Sequence, residues 1–236
     1  MISVQNLTKK YGKLLANDNV NVKIGMGQMA VLLGPNGAGK STLIKSICGL
    51  LRFEGIITID GLGNKTSDAK QILGYVPEIP VVYPMLTVAE HLEFIARAYR
   101  LSDWEDYAEE LFARFELDDK RKKLGKELSK GMQQKVSICC ALLPRPKAII
   151  LDEPLVGLDP HAIRELKRIL VELKAEGNTI LISTHLIDST ERDWDVTYIM
   201  QGGKIVKECS RSEMEGESLE DIYFSITGAQ SQGENK

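Results

Sequence analysis

The sequence predicts an α/β chain with a mixed, mostly parallel sheet, an antiparallel β unit at its N-terminus and an all-helical insert. Three observations carry that expectation. The chain opens on short segments, the clearest of which alternates polar and apolar residues, as a half-exposed antiparallel sheet does. Fully apolar runs, each followed by a helical period, begin at Met29 and again at Ala148, as expected of parallel strands covered on both faces. From about residue 85 to 145 the period is helical throughout.

Residues 2–7 and the strictly alternating 20–24 read as strands of the antiparallel unit. Tyr11 is expected on the loop between them, beside Lys9, Lys10 and Gly12, where an exposed ring could stack on a nucleobase. Taken alone, an exposed loop tyrosine more often has no such role. The apolar strand 28–33 runs into Gly34-Pro35-Asn36-Gly37-Ala38-Gly39-Lys40-Ser41-Thr42, which fits the pattern G-x-x-x-x-G-K-[ST], and a helical period then continues to Gly49. Strand, glycine-rich loop and helix together are what a phosphate-binding loop requires. Glycines let successive N–H groups turn inward on an anion, and the helix start adds its positive dipole end. Lys40 would reach the β- and γ-phosphates, and the Ser41 hydroxyl would ligate Mg²⁺. The expected core is therefore that of a phosphate-loop NTPase.

Strands follow at 55–59 and 72–76, the second leading through Pro77 to Glu78, a charged residue placed to face a ligand. Residues 79–86, with Pro80, Tyr83, Pro84 and Met85 among valines, have neither period and suggest an exposed apolar groove for a partner. Thr87 and Glu90 then form a capping-box pattern ahead of Val88, Leu92, Ile95 and Ala96 on one helical face. A second helix is expected from about 102 to 115, and the basic run Lys120-Arg121-Lys122-Lys123 reads as a solvated surface. A third helix opens near Ser129, carries Val136, Cys139, Cys140 and Leu143 on its face, and ends at Pro144 and Pro146.

The apolar strand 148–151 ends on Asp152 and Glu153, at the sheet edge where open α/β proteins bind ligands. Two acids at a strand end are otherwise an ordinary turn. With the phosphate loop present, Asp152 would hold Mg²⁺ and Glu153 would take a proton from the attacking water. Asp159 caps a helix that starts at Pro160, presents Ile163, Leu166, Leu170 and Leu173 on one face and stops at Gly177. His185 follows the strand 179–183 and emerges at the same edge, where its ring could meet the γ-phosphate. A short helix after His185, strands at 196–200 and 204–207, a last helix around Leu219, Ile222 and Tyr223, and a polar, disordered tail from 228 complete the chain. One domain spans 1–227, with the α/β core in 1–84 and 146–227 and the helical part in 85–145.

Composition sets the outer limits. With 236 residues, 43% hydrophobic, and a net charge of -3, the chain describes a soluble globular protein and gives no general case for nucleic acid as a partner. Cys48, Cys139, Cys140 and Cys209 lack C-x-x-C spacing, so neither zinc nor a disulfide framework is suggested and a reducing cytoplasm fits. No apolar run approaches the ~20 residues that cross a bilayer and no signal peptide opens the chain, so any membrane role is expected to come through a partner.

In these motifs and their order the chain resembles, over nearly its whole length, the ATP-binding subunits of ABC transporters. Leu128-Ser129-Lys130-Gly131-Met132-Gln133-Gln134 resembles the family's signature motif. Gly74-Tyr75-Val76-Pro77-Glu78 is similar to the loop that normally carries Gln, Leu155-Val156-Gly157-Leu158-Asp159 to the dimer-contact loop, and Tyr11 to the adenine-stacking aromatic. The resemblance implies ATP and Mg²⁺ as cofactors. ATP would be held by Tyr11, the residues from Gly34 to Thr42, Glu78, Ser129, Gly131 and Asp159, with Ser41, Asp152 and Glu78 at the metal and Lys40, Glu153 and His185 catalytic. It further implies a head-to-tail dimer, of two copies or with a paired ABC subunit, in which Ser129 and Gly131 of one subunit cover the ATP of the other. A separate integral membrane permease would dock on residues 79–86 and hold the protein at the cytoplasmic face of the membrane.

Two departures stand out. Glu78 replaces Gln, leaving a carboxylate that accepts hydrogen bonds without donating, and Lys130 and Met132 replace Gly and Gln of the familiar signature. With the Leu219-Glu220-Asp221-Ile222-Tyr223 ending, these features resemble the branch serving drug, antibiotic and lipid exporters. An importer subunit is the nearest alternative. A soluble ABC ATPase working on another macromolecular machine would need a second cassette or a long heptad insert, and a switch that hardly hydrolyses is disfavoured by Asp152, Glu153 and His185.

Overall fold

The structure is a computed structural model that describes residues 1–185, 193–213 and 219–228. At the N-terminus β1 (Ile2–Tyr11) and β2 (Leu14–Ile24) form a long antiparallel hairpin. In β2 the sequence alternation is realised directly, with Val20, Val22 and Ile24 buried and Asn21 and Lys23 exposed. Both strands run further than that pattern shows. Their pairing shifts register three times, the last between Lys9↔Asn17 and Lys10↔Leu15, before closing at Tyr11↔Leu14. Across these shifts the buried residues leave strict alternation, from Val4 to Leu7 in β1 and from Val20 to Asn17 in β2, so the period-two signal is lost while the ladder continues. Tyr11 accordingly ends a strand and does not sit on a loop, as the sequence suggested.

The phosphate-loop pattern lies between β3 (Met29–Leu33) and α1 (Lys40–Ile47). Then come β4 (Glu54–Ile59), β5 (Leu62–Gly63), α2 (Ser67–Gln71) and β6 (Leu73–Val76). The sequence pattern missed β5 and α2, because two and five residues are too few to express a period. Local chemistry makes α2 instead: the Thr66 hydroxyl caps it by accepting from the Ala69 N–H.

The helical stretch contains α3 (Val88–Tyr99), which begins with the expected Thr87/Glu90 capping box, then α4 (Glu105–Arg114) and α5 (Lys130–Leu142). Residues 79–86 form no regular element and expose Ile79, Val81, Tyr83 and Met85. The basic run is less free than a solvated surface, since Arg121 pairs with Glu109 and Asp118, and Lys120 with Asp119. Beyond it lie β7 (Ala148–Asp152), α6 (Pro160–Ala175), β8 (Thr179–Thr184), β9 (Val196–Gln201), β10 (Lys204–Ser210) and α7 (Leu219–Thr227). Asp159 caps α6 as expected, but Ile163 is half-buried and the inward face is completed by Ala162 and Ile169. The short helix expected after His185 and the tail beyond residue 228 lie outside the described residues. No helix among the described residues is long and apolar enough to cross a membrane.

Two sheets result. One is antiparallel, in the order β2-β1-β4-β5. The other, β10-β9-β3-β8-β7-β6, is parallel except for β10. Every residue of β3 and β7 is buried, which explains their uninterrupted apolar runs. Alternate residues of β7 go to opposite cores: Ile149 and Leu151 pack with residues of α3 to α6, Ala148 and Ile150 with α1 and the antiparallel sheet. A third cluster joins Val31, Leu33 and Ile199 to Trp194 and Leu219 of α7. The strand order sets β3, β8, β7 and β6 side by side, so their carboxyl ends share one edge of the sheet.

Candidate functional site

The loop from β3 into α1 is held by backbone approaches that leave no room for side chains. A Cβ on Gly34 would lie 2.3 Å from the Met200 carbonyl oxygen, and one on Gly39 would lie 2.5 Å from that of Ala16. Gly39 also has φ 106°, a conformation open to glycine. Pro35, Asn36 and Gly37 form the exposed crest, while Ala38 and Lys40 are buried and Ser41 and Thr42 sit half-buried in the first turn of α1. The Lys40 ammonium donates to the Gly34 carbonyl at 2.7 Å and to that of Pro35 at 3.4 Å, and lies 3.6 Å from Glu153 Oε1.

Two strands away, β7 delivers Asp152 and Glu153 to the same edge. Asp152 is 1% exposed. Its Oδ1 accepts from the Ser183 hydroxyl at 2.5 Å, while Oδ2 is buried with no hydrogen-bond partner among the described residues. A buried carboxylate oxygen without a donor is costly, on the order of 1–3 kcal/mol or more for a charged group. Glu153 takes a left-handed backbone, φ 49°, which is uncommon for a side-chain-bearing residue and gathers at functional sites. Its N–H donates to both the carbonyl and the hydroxyl oxygen of Ser183, each at 3.1 Å. Held there, Glu153 Oε1 lies 3.0 Å from His185 Nδ1, with the buried Lys40 ammonium on its other side.

Glu78 is exposed just beyond β6. Val76 pairs with Leu151, so Glu78 and Glu153 each follow the same paired position by two residues at the carboxyl ends of neighbouring strands. Beside these carboxylates a groove of about 600 Å³ opens toward α3, lined by Leu50, Tyr75, Glu78, Val81, Phe94 and Tyr99 among others. Burial pushes the Tyr75 phenol up, so it stays protonated on the groove wall.

Tyr11 is 46% exposed, with the Lys9 ammonium 4.7 Å above its ring. The remaining expected residues gather around the start of α5. Ser129 is its N-cap, accepting from the Met132 N–H at 3.3 Å, and Gly131 lies so close to the next loop that a Cβ would sit 2.5 Å from the Gly157 carbonyl oxygen. Asp159 is fully engaged within the chain: Oδ1 accepts from the Ala162 N–H at 2.9 Å and Oδ2 pairs with the Lys135 ammonium at 2.7 Å. The Lys135 hydrogen bond, with the Ala162 N–H, holds its carboxyl below the usual range.

The structure thus brings Lys40, Glu153 and His185 into contact and sets Ser41, Asp152 and Glu78 along the same edge. It places Ser129, Gly131 and Asp159 in a second group, linked through Gly157 and Lys135. Sequence reasoning missed Ser183, which orients both acids. Its signal was present, a hydroxyl late in the apolar run of β8.

A family model described as ABC transporter matches residues 17–156. The chain is similar to the ABC-type transporter ATP-binding protein EcsA of Bacillus subtilis, 37% identical, with 96% of each chain covered. It is similar also to the lantibiotic transport ATP-binding protein SrtF of Streptococcus pyogenes, 36% identical over 94% of this chain and 96% of that one. Among solved structures it resembles an ATP-binding subunit of an ABC transporter, with TM-score 0.91 and 36% identity, covering 96% of this chain and 99% of that one. A dimeric ATP-binding cassette, MJ0796, in a post-hydrolysis state bound to ADP and Pi, matches with TM-score 0.78 and 28% identity, over 89% and 98% of the two chains.

Proposed function

The chain belongs to the ABC transporter family as an ATP-binding and ATP-hydrolysing subunit, and on that premise we propose that it powers a separate membrane permease in export. The observation that supports the residue roles best is the meeting of Lys40, Glu153 and His185 at the strand end that carries Asp152, one oxygen of which has no hydrogen-bond partner among the described residues.

The residues fit Mg²⁺. Asp152 Oδ2 is a buried carboxylate oxygen with no hydrogen-bond partner among the described residues and Ser41 offers a hydroxyl, both hard donors of the kind this ion takes. Bound with the nucleotide, the ion supplies neutralisation of charge on the phosphate oxygens. The chain's own residues do the rest. Main-chain N–H groups at the start of α1, from Gly39 to Thr42, bind the phosphates, with Lys40 exchanging its loop carbonyls for phosphate oxygens. Glu153, fixed from behind by Ser183, accepts the proton of the attacking water. His185 Nδ1 lies 3.0 Å from Glu153 Oε1, which leaves Nε2 as the ring atom that faces the γ-phosphate. Glu78 can accept from water or approach the metal, but cannot donate.

Tyr11 stacks on the adenine, and Ser129 and Gly131 reach the ATP of a second subunit in a head-to-tail dimer. The dimeric form of the similar cassette supports this division. The permease docks in the groove beside residues 79–86 and holds the protein on the cytoplasmic face of the membrane. Export is supported by the similarity to a subunit named for lantibiotic transport. The deciding experiment is Glu153→Gln in purified protein. ATP binding should persist while turnover falls roughly 10²- to 10⁴-fold, as for loss of a general base. Unchanged turnover would remove Glu153 from that role.

A further inference from the structure

We infer that Asn17 is a positioning residue of the phosphate loop, whose carboxamide holds the Gly39 carbonyl on the protein side and so aims the Lys40 main-chain N–H at the bound phosphates. The inference rests on the nucleotide reading above and deepens it.

Asn17 lies on β2 opposite Lys9 and is 0% exposed. Its Nδ2 donates to the Gly39 carbonyl at 3.2 Å, while its Oδ1 is buried with no hydrogen-bond partner among the described residues. Such a residue is a poor choice for packing alone, because the stranded acceptor has lost its water without gaining a donor. Its amide orientation follows from the contact, since only the NH₂ end can face a carbonyl oxygen.

The carbonyl it holds is a sensitive one. Gly39 caps α1, and its oxygen also accepts the first helical hydrogen bond, from the Leu43 N–H at 2.9 Å. In a trans peptide the C=O and the following N–H point in opposite directions, so fixing the Gly39 carbonyl fixes the Lys40 N–H. The preceding carbonyl is held in the same way. Ala38 O accepts from the Gly203 N–H at 3.0 Å, and Gly203 O accepts from the Asp18 N–H at 2.9 Å. Two successive loop carbonyls are thus tied to the start of β2, directly and through the turn between β9 and β10. Both N–H groups that follow them are left facing the other way, where an anion binds.

The test uses the full chain carrying Asn17→Leu, which removes the donor and the stranded acceptor together. Its melting temperature is measured without nucleotide, and its affinity is measured for MgATP and for inorganic tripolyphosphate with Mg²⁺. Melting should be unchanged or raised, while both affinities fall roughly threefold to tenfold, the scale of one hydrogen bond. Tyr11→Ala, run alongside, should weaken MgATP and leave tripolyphosphate alone. Unchanged affinities in folded Asn17→Leu, or a loss confined to MgATP, would overturn the role. If the leucine variant does not fold, Asn17→Ser is read by the same titrations against the same threshold. A wild-type chain that binds neither probe would instead overturn the nucleotide reading.

Discussion

The phosphate-loop edge and the groove beside residues 79–86 meet at Glu78, yet they are built in opposite ways. At the edge, polar groups are buried and each is aimed by a hydrogen bond: the Lys40 ammonium by loop carbonyls, the Asp152 carboxylate and the Glu153 N–H by the Ser183 hydroxyl, and the Gly39 carbonyl by the Asn17 carboxamide. In the groove the backbone is held and the side chains are left apolar and open. The Tyr83 N–H donates to His91 Nε2 at 2.8 Å, and the main-chain N–H groups of Gly125 and Lys126 donate to the Leu86 and Pro84 carbonyls. Ile79, Val81 and Met85 meanwhile face solvent. The difference teaches what each region must do before its ligand arrives. Charge chemistry needs donors and acceptors aimed in advance, whereas an apolar surface gains free energy only when a partner removes it from water.

That contrast can be broken at either end. Lys40→Ala should have the largest effect, abolishing measurable MgATP binding in a fluorescent-nucleotide titration while the chain stays folded. Retained binding would mean that the loop amides suffice without the ammonium. In the groove, the structure refines which residues to change, because Val82 packs on the core whereas Ile79 and Val81 are exposed. Ile79→Asp with Val81→Asp should release the protein from membranes containing its permease, with basal ATPase within about twofold of wild type, since such surface changes leave the core intact. Membrane retention would place docking elsewhere.

The smallest effect sharpens the link between α5 and α6. The Asp159 carboxyl is held low by Lys135 and the helix N-terminus, so its stabilisation is present above the unfolded carboxylate pKa of about 3.9 and is lost as pH falls through its lower folded value. Asn also caps helices but carries no charge. Asp159→Asn should therefore melt slightly below wild type at pH 6 and converge with it in acid, followed by circular dichroism. A constant gap across that range would assign the effect to shape and not to charge.

Much of this was legible along the chain because the relevant physics is local. The phosphate loop is one contiguous residue pattern, and the Thr87 capping box and the Asp159-Pro160 helix start each complete their own hydrogen bonds within a few residues. Ser183 was within reach but easily passed over. Asn17 was not legible at all, since register shifts in the hairpin take it off the alternation that marks Val20, Val22 and Ile24. The same shifts carried Tyr11 onto a strand.

By itself the sequence determined the family, the order of elements and the chemistry of the phosphate loop, because glycine conformations, helix caps and hydrophobic period are written in neighbouring residues. Only the tertiary structure decided that Glu153 meets both Lys40 and His185, that one oxygen of Asp152 has no donor among the described residues, and that Asp159 faces Lys135. Those facts depend on which strands lie side by side, and strand order is a property of the whole core, to which no single segment carries the key.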